Sequence, residues 1–538
     1  MSDIAQGLLC VLTLACLSSA CASAHPRFRD APPVWRVDDD QSIAEPEARE
    51  FEPKEYYANV FGLQRIDRLL QLRDEELASN INALEEVPDS TWFQNRIGTR
   101  ALAPSDAARG VEAGGPPQRP FTLVGGKLGI GHPSFVLQDG TGRRFKVRFD
   151  TQQNPELRTS ASVIVNRILW TAGYNVASDH VFELRKEELT IASNATYVNA
   201  QKNEDLLDRA AVDAILFTAH RRDDGVYRAV ASQLVPGIAK GGFKPNGRRS
   251  DDANDRVDHE HRRELRGLRV LAAWLAYTDI KEDNTLDVYV AQGGRRFLRH
   301  YLVDFGEALS GHAADSGRAE DGWEHYLDWE MQTKAVFAFG LWKRPWEDVQ
   351  ATRWPSVGSF AAQPFDPRAW REVYPYWPFA EMDASDAYWA AKLVMRFDRP
   401  LLDAIVGEAK MSDHAAARYL VATLIARRNA IGKAYIESVT SLDDFELGDG
   451  TLCMTDLSMR YGFAKSGSVE WLRGSDVRLS HSLNTSGRLC VRIPHGDDAY
   501  TVFRMRIRRS ADDVRPPMEL HFKAGSRPRV LGIVRVAR

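Results

Sequence analysis

Two short segments carry the clearest chemistry in this chain. Asp279-Ile280-Lys281-Glu282-Asp283-Asn284 sets an acid, a Lys two residues on and an Asn five residues on, and Asp304-Phe305-Gly306 follows further along. Phosphoryl transfer asks a protein for few reactive groups: a carboxylate to orient the attacking hydroxyl, oxygen ligands for magnesium, and cations or backbone amides on the phosphates. Magnesium takes hard oxygen donors and usually only one or two protein carboxylates, the rest of its shell being phosphate and water. A short acid-to-amide step followed by a second Asp matches that requirement.

The flanking sequence supplies elements to position these groups. Leu265, Leu268, Leu271, Ala272 and Leu275 recur at steps of three and four, which predicts an amphipathic helix ahead of Asp279. Strands are predicted at 285–290 and 297–303, joined by Gln292-Gly293-Gly294, so that Asp304 closes a hairpin. Upstream, Phe121-Thr122-Leu123-Val124 leads into the glycine-bearing Gly125-Gly126-Lys127-Leu128-Gly129-Ile130-Gly131. Two further strands follow, at 134–137 and 145–149, around the turn Asp139-Gly140-Thr141-Gly142. Gly126 and Gly129 would let backbone amides approach phosphate. Lys146 and Arg148 are two apart on a strand and share a face, so either could contact phosphate. Residues 159–172 read as a helix with Val163, Ile164, Ile168 and Leu169 on its apolar side. That helix shows Ser162 where an acidic partner for the cation is expected, and Glu156 lies one turn too early.

Residues 279–284 and 304–306 resemble the protein-kinase catalytic loop, D-x-K-x-x-N, and its magnesium-binding D-F-G. Tyr277-Thr278 stands where ordinary kinases carry His-Arg, and the pattern is more similar to atypical kinases such as the HipA-like group. The resemblance covers residues 121–438 and implies a two-lobed α+β domain using ATP and Mg²⁺. It implies that Asp279 orients the acceptor hydroxyl or acts as base, that Lys281 steadies the transferred phosphoryl, and that Asn284 and Asp304 bind the metal. It leaves Lys146 and Arg148 as alternatives for the phosphate cation. The implied activity is phosphate transfer to a hydroxyl of protein, sugar or lipid. The alternative is a catalytically inactive, pseudokinase-type envelope protein that only binds.

The 538 residues are 44% apolar and 27% charged, enough for large cores. A net charge of −4 argues against a dedicated nucleic-acid binder. Arg262, Arg263, Arg266 and Arg269 read as a solvated helix face, as does His259-Glu260-His261, which lacks zinc-protease spacing. The acidic run Asp251, Asp252, Asp255 and Asp258 reads as a loop before a helix. The Trp-rich stretch from Trp342 to Trp377 reads as packing rather than a sugar platform.

Residues 1–24 read as an export leader of bacterial type. The apolar run Leu8 to Leu17 is too short to span a bilayer, Ser18-Ser19-Ala20-Cys21 resembles a lipobox, and Ala22-Ser23-Ala24 is an A-x-A cleavage site. The expectation is a periplasmic or outer-membrane lipoprotein anchored through Cys21, with free secretion as the alternative. Three of the five Cys lie in that leader, and Cys453 and Cys490 remain as a possible disulfide or two buried thiols. The expected organisation is a tether and helical extension at 25–120, a kinase-like N-lobe at 121–240 and a helical C-lobe at 241–438. Alternating apolar and polar residues at 439–538 predict a small all-β, sandwich-like domain.

Overall fold

The computed structural model describes residues 27–64, 66, 76–112, 114–128, 132–311, 318–339, 341–448, 450–493, 500–525 and 528–535. The export leader with Cys21, and Gly129 of the glycine-rich turn, lie outside them. No helix among the described residues is long and apolar enough to cross a membrane. The chain is a mixed α+β protein.

Seven strands form the first sheet: β1 (Phe121–Lys127), β2 (Ser134–Gln138), β3 (Arg144–Phe149), β4 (Ser178–Arg185), β5 (Leu189–Val198), β6 (Glu204–Leu206) and β7 (Val226–Gln233). Their order is β4-β7-β3-β2-β1-β5-β6, and only the β1–β5 pair is parallel. Alternation divides the sheet into two faces. Phe135, Phe145, Val147 and Ala229 point to one side, where they pack with Ile215 of helix α2 (Arg209–Phe217). On the other side Val181 and Val230 meet Val163 of helix α1 (Leu157–Ala172). Arg148 pairs with Val230 in register, so the cations share this second face with α1. Asp150 fixes where α1 begins: its carboxylate accepts from the amides of Arg158 and Thr159 at 2.9 Å each, which satisfies donors that a helix start leaves open.

Strand β8 (Ile238–Ala239) then joins the hairpin of β9 (Thr285–Gln292) and β10 (Arg295–Leu302) in a three-stranded sheet. Helix α3 (Arg263–Leu275) runs into the turn that precedes β9. It is buried at every residue but Arg269, inside a core shared with α5 (Ala384–Met395), α6 (Arg399–Gly407) and α7 (His414–Tyr435). Helix α4 (Trp329–Phe337) has no buried residue. Gly267 lets α3 and α5 touch, because a Cβ there would come within 2.8 Å of the Trp389 ring.

Burial of α3 corrects two expectations. Arg262, Arg263 and Arg266 are not solvated; they are 5%, 3% and 0% exposed. Arg263 and Arg266 reach Asp386 of α5 at 2.8 and 3.4 Å, and Arg262 reaches Asp255 at 2.9 Å. His259 and Glu260 are buried as well, with His259 Nε2 2.8 Å from Asp255. Buried cations persist because carboxylates and carbonyls from distant segments meet them.

From Leu442 the chain is almost entirely β. Strands β11 (Leu442–Gly448), β12 (Thr451–Asp456) and β15 (Arg488–Arg492) form one antiparallel sheet. Strands β13 (Ser468–Arg473), β14 (Asp476–Ser482), β16 (Tyr500–Arg508), β17 (Met518–Lys523) and β18 (Arg529–Arg535) form another. Both contribute to one apolar core around Trp471, Met505 and Leu520. Cys453 and Cys490 face each other across β12–β15 and form a disulfide.

The segment that composition suggests is a mobile tether is, from Arg27 on, an extended strap. Phe28 packs on His521, Asp39 accepts from the Thr91 amide, and the amides of Ile43 and Arg49 donate to the carbonyls of Arg296 and Lys240. Most charged residues there stay at the surface because the strap crosses other elements without a core of its own, and the buried Asp39 is the exception, its carboxylate held by Thr91.

Candidate functional site

The α3 helix ends at Leu275, and Ala276 takes a left-handed conformation with φ of 46° that turns the chain toward Asp279. The carboxylate of Asp279, 9% exposed, accepts from Lys281 Nζ at 2.8 and 2.9 Å. Asn284 Nδ2 donates to the Asp279 carbonyl at 2.6 Å and to Oδ2 at 2.8 Å. Three predicted residues thus form one cluster. Both donations use the Asn284 amide N–H groups, which leaves its oxygen as an acceptor. Burial pushes the Asp279 carboxyl up, and Lys281 offsets this only in part. Burial also works against the Lys281 ammonium, but Asp279 holds it above the usual lysine range.

Asp304 reaches the same place from the end of β10. The Val303 amide donates to the Asn284 carbonyl at 3.0 Å, and the rings of Tyr277 and Phe305 meet edge to face at 5.7 Å. These contacts bind the exit of the hairpin to the turn before it. Asp304 has φ of 67°, a conformation rare outside glycine and found at sites where structure over-determines the backbone. Its carboxylate pairs with Arg148 and lies 3.8 Å from Lys146 Nζ. Burial would raise Asp304, but Arg148 and then Lys146 outweigh it and hold the carboxyl well below the usual range. Arg148, followed by burial, pushes Lys146 below its ordinary range. Both cations therefore converge on one carboxylate.

A cavity of about 380 Å³ opens at this point. Lys146, Arg148, Asp179 and Ser232 line it from the first sheet, and Leu286, Asp283 and Asp304 line it from the β9–β10 hairpin. Gln233, Leu234 and Val235 form the connection between the two sheets along its edge. Gly241 and Gly242 complete the wall, and a Cβ on either would strike a carbonyl, of Arg49 or of Glu282. Gly126 is not part of this lining. Its register with Phe135 puts it on the core face of the sheet, where a Cβ would meet Ile215 and Tyr197 at 3.3 Å. Gly129 lies outside the described residues.

Four contributors escape a reading of the sequence. Asp179 on β4 is 2% exposed, and burial pushes it up to about 6, with Arg148 and Ser232 offsetting part of that rise. It places a carboxylate near Arg148 from β4, two strands away across β7, rather than from the helix after β3. Glu307, directly after the Asp304 segment, stands 3.0 Å from His132 and 3.6 Å from Arg158 of α1. Burial opposes its ionisation, yet the His132 contact and Arg158 hold it below the ordinary range. Arg49 and Phe51 enter the cavity wall from the strap. Only the position of Glu307 next to Gly306 was a local signal; the other three come from remote segments. Ser162 faces the backbone of Gly306, whose Cβ would lie 3.4 Å from its Oγ.

The donor set fits a divalent metal. The Asn284 oxygen and the Asp304 carboxylate are hard ligands on neighbouring backbone, and Asp304 is itself paired with Arg148 on the basic face of β3.

No protein-family model and no curated protein matches the sequence. Solved structures similar to it include the Golgi casein kinase with Mn/ADP bound, at 11% identity and a TM-score of 0.28, covering 58% of this chain and 72% of that one. A second structure of the Golgi casein kinase matches at 9% identity and a TM-score of 0.29, covering 58% and 71%. Similarity this loose assigns no function.

Proposed function

We propose that the chain is an ATP- and Mg²⁺-dependent phosphotransferase with a two-lobed, kinase-like domain, acting on a hydroxyl of protein, sugar or lipid. The supporting observation is the meeting of the Asp279–Lys281–Asn284 cluster with Asp304 at a cavity lined by Lys146 and Arg148. Asn284 and Asp304 would hold the metal, which when bound neutralises phosphate charge. Lys146 and Arg148 would bind phosphate oxygens, Arg148 through its planar fork. Asp279, held by Lys281, would align the acceptor hydroxyl and take its proton at a carboxylate oxygen.

Export and lipid anchoring at Cys21 belong to the same proposal. The Cys453–Cys490 disulfide supports an oxidising compartment, and mass spectrometry of the mature N-terminus tests it. A chain still starting at Met1 or Ser2 would remove this part.

One observation favours a second possibility, a binding protein that does not turn over: the helix after β3 offers Ser162, not a carboxylate, to the Asp304 segment. Calorimetric titration with ATP and Mg²⁺, with phosphate transfer assayed on the same protein, separates the two. Asp304→Ala is expected to abolish metal-dependent nucleotide binding. Asp279→Ala should retain binding while lowering turnover by two orders of magnitude or more, in the range that general acid–base groups supply (~10²–10⁴-fold). Wild-type protein that binds no nucleotide at all sinks the enzyme proposal.

A further inference from the structure

The outer face of the five-stranded C-terminal sheet carries charge that the candidate site does not use. The whole chain has a net charge of −4, yet cations outnumber carboxylates on these strands. Phe503, Met505 and Ile507 of β16 point into the apolar core, so alternation turns Arg504, Arg506 and Arg508 to the opposite side. Two carboxylates on that side are each shared between two cations. Glu470 of β13 takes Arg506 at 2.8 Å and also Arg508, and Asp30 of the strap takes Lys523 of β17 at 3.0 Å and also Arg529 of β18. Glu519 stands 3.4 Å from His521, and Asp476 lies 3.7 Å from the exposed Arg478 on the edge strand β14. The balance of the sheet is positive.

The chain enters the fold on this same face. Phe28 lies on the His521 ring at 5.0 Å and against Gly532, where a Cβ would come within 2.4 Å of its ring. The amides of Arg27 and Phe28 donate to the Tyr500 hydroxyl at 3.1 and 3.2 Å. With Phe28 held down, its neighbours Arg27 and Arg29 are exposed and add to the positive surface. Cys21 stands six residues before Arg27, a reach of at most about 20 Å when fully extended. A lipid on Cys21 therefore keeps the bilayer within that reach of this face.

We infer that this face docks on an anionic lipid bilayer. Charge complementarity and the short tether assign the occupant, and the tether argument rests on the lipid anchoring proposed above. Charge attraction at physiological salt acts over about 8 Å, and each Lys or Arg close to an anionic bilayer strengthens partitioning about fivefold. An acyl anchor and a basic patch act together in membrane attachment; here the patch selects which side of the molecule meets the lipid.

The test uses the full chain with Cys21→Ser, which cannot be lipidated at that position. Its leader contains no Lys or Arg and so gives no preference for anionic lipid. Co-sedimentation with vesicles of equal parts phosphatidylglycerol and phosphatidylcholine is compared with vesicles of phosphatidylcholine alone. The anionic vesicles should bind about tenfold more strongly or better, and high salt should erase the difference. Arg27→Ala, Arg29→Ala and Arg478→Ala combined remove exposed charges of the face and should weaken that binding about tenfold or more. Arg209→Ala, Arg399→Ala and Arg418→Ala combined lower the net charge equally at exposed positions of α2, α6 and α7, and should leave it unchanged. Equal binding to both kinds of vesicle overturns the inference, and so does anionic binding that the two triple variants weaken alike. Binding of an anionic polysaccharide such as alginate, or self-association, that the first triple variant abolishes while vesicles fail to bind gives the face another partner and overturns it as well. Variant-sensitive vesicle binding in a protein whose mature N-terminus bears no lipid keeps the docking face and removes the anchor. A lipidated chain whose Cys21→Ser form shows no preference for anionic vesicles keeps the anchor and removes the docking face.

Discussion

Asp179 lies opposite Ser232 across the β4–β7 pair, buried beside the Arg148 charge. Burial pushes its carboxyl up to about 6 from an ordinary 3.8, so the folded state holds a proton that the unfolded chain releases. Its stabilising contribution is complete below the unfolded value and is lost as pH rises through about 6. Asp179→Asn removes that slope. Between pH 4 and pH 7 the wild type is expected to lose up to roughly 3 kcal/mol that the variant keeps, measured by urea unfolding at both pH values. Parallel losses in the two proteins would show that Asp179 does not titrate as its burial requires. The same residue also shows why part of the site was illegible. A search along the chain looks for a carboxylate on the helix after β3 and finds Ser162, whereas Asp179 comes from β4, which only sheet order places two strands from β3, across β7.

At the level of elements, α3 bears on the site because it delivers the turn carrying Asp279. Its position depends on Asp386 of α5, fully buried, which receives both Arg263 and Arg266. Removing that carboxylate leaves two guanidiniums buried without their charge partner. Asp386→Ala is expected to cost about 3–5 kcal/mol, read from the shift in urea midpoint, and Asp386→Leu should fare no better. A loss under 1 kcal/mol would mean that the carbonyls of Glu85 and Glu76, which also accept from these arginines, suffice alone. The α3 helix and the β9–β10 hairpin were readable because their apolar period and their Gly-Gly turn are local properties. The fate of the α3 arginines was not, since their partner lies more than a hundred residues away and a helical wheel cannot show it. For the same reason the cluster within residues 279–284 and its approach to Asp304 followed from spacing, while the core-facing register of Gly126 had to come from strand pairing.

Across the whole molecule, the C-terminal sheets and the helical body meet at a buried charge network centred on Asp443. Its Oδ2 accepts from Lys392 of α5 at 2.9 Å and from the Tyr388 hydroxyl at 3.0 Å, and it lies 3.3 Å from Arg535 at the end of β18. Arg535 also reaches Glu85 at 2.9 Å, which brings the N-terminal segment into the same junction. Burial alone would raise the Asp443 carboxyl, but Lys392 and Arg535 hold it well below the usual carboxylate range. Because the folded value is depressed, the contribution is present above the unfolded pKa and is lost as pH falls toward the folded one. The junction should therefore weaken in acid before the apolar cores on either side of it do. Asp443→Ala reproduces that loss at neutral pH by leaving Lys392 and Arg535 without their shared carboxylate, at a cost of about 3 kcal/mol or more. If the network is what makes the two parts unfold together, hydrogen exchange separates them in the variant. Amides of β16 and β17 then exchange well before those of α3, whereas in the wild type both exchange together. Uniform acceleration of both sets would instead mean that the apolar contacts across the junction carry the coupling, with Asp443 adding only to overall stability.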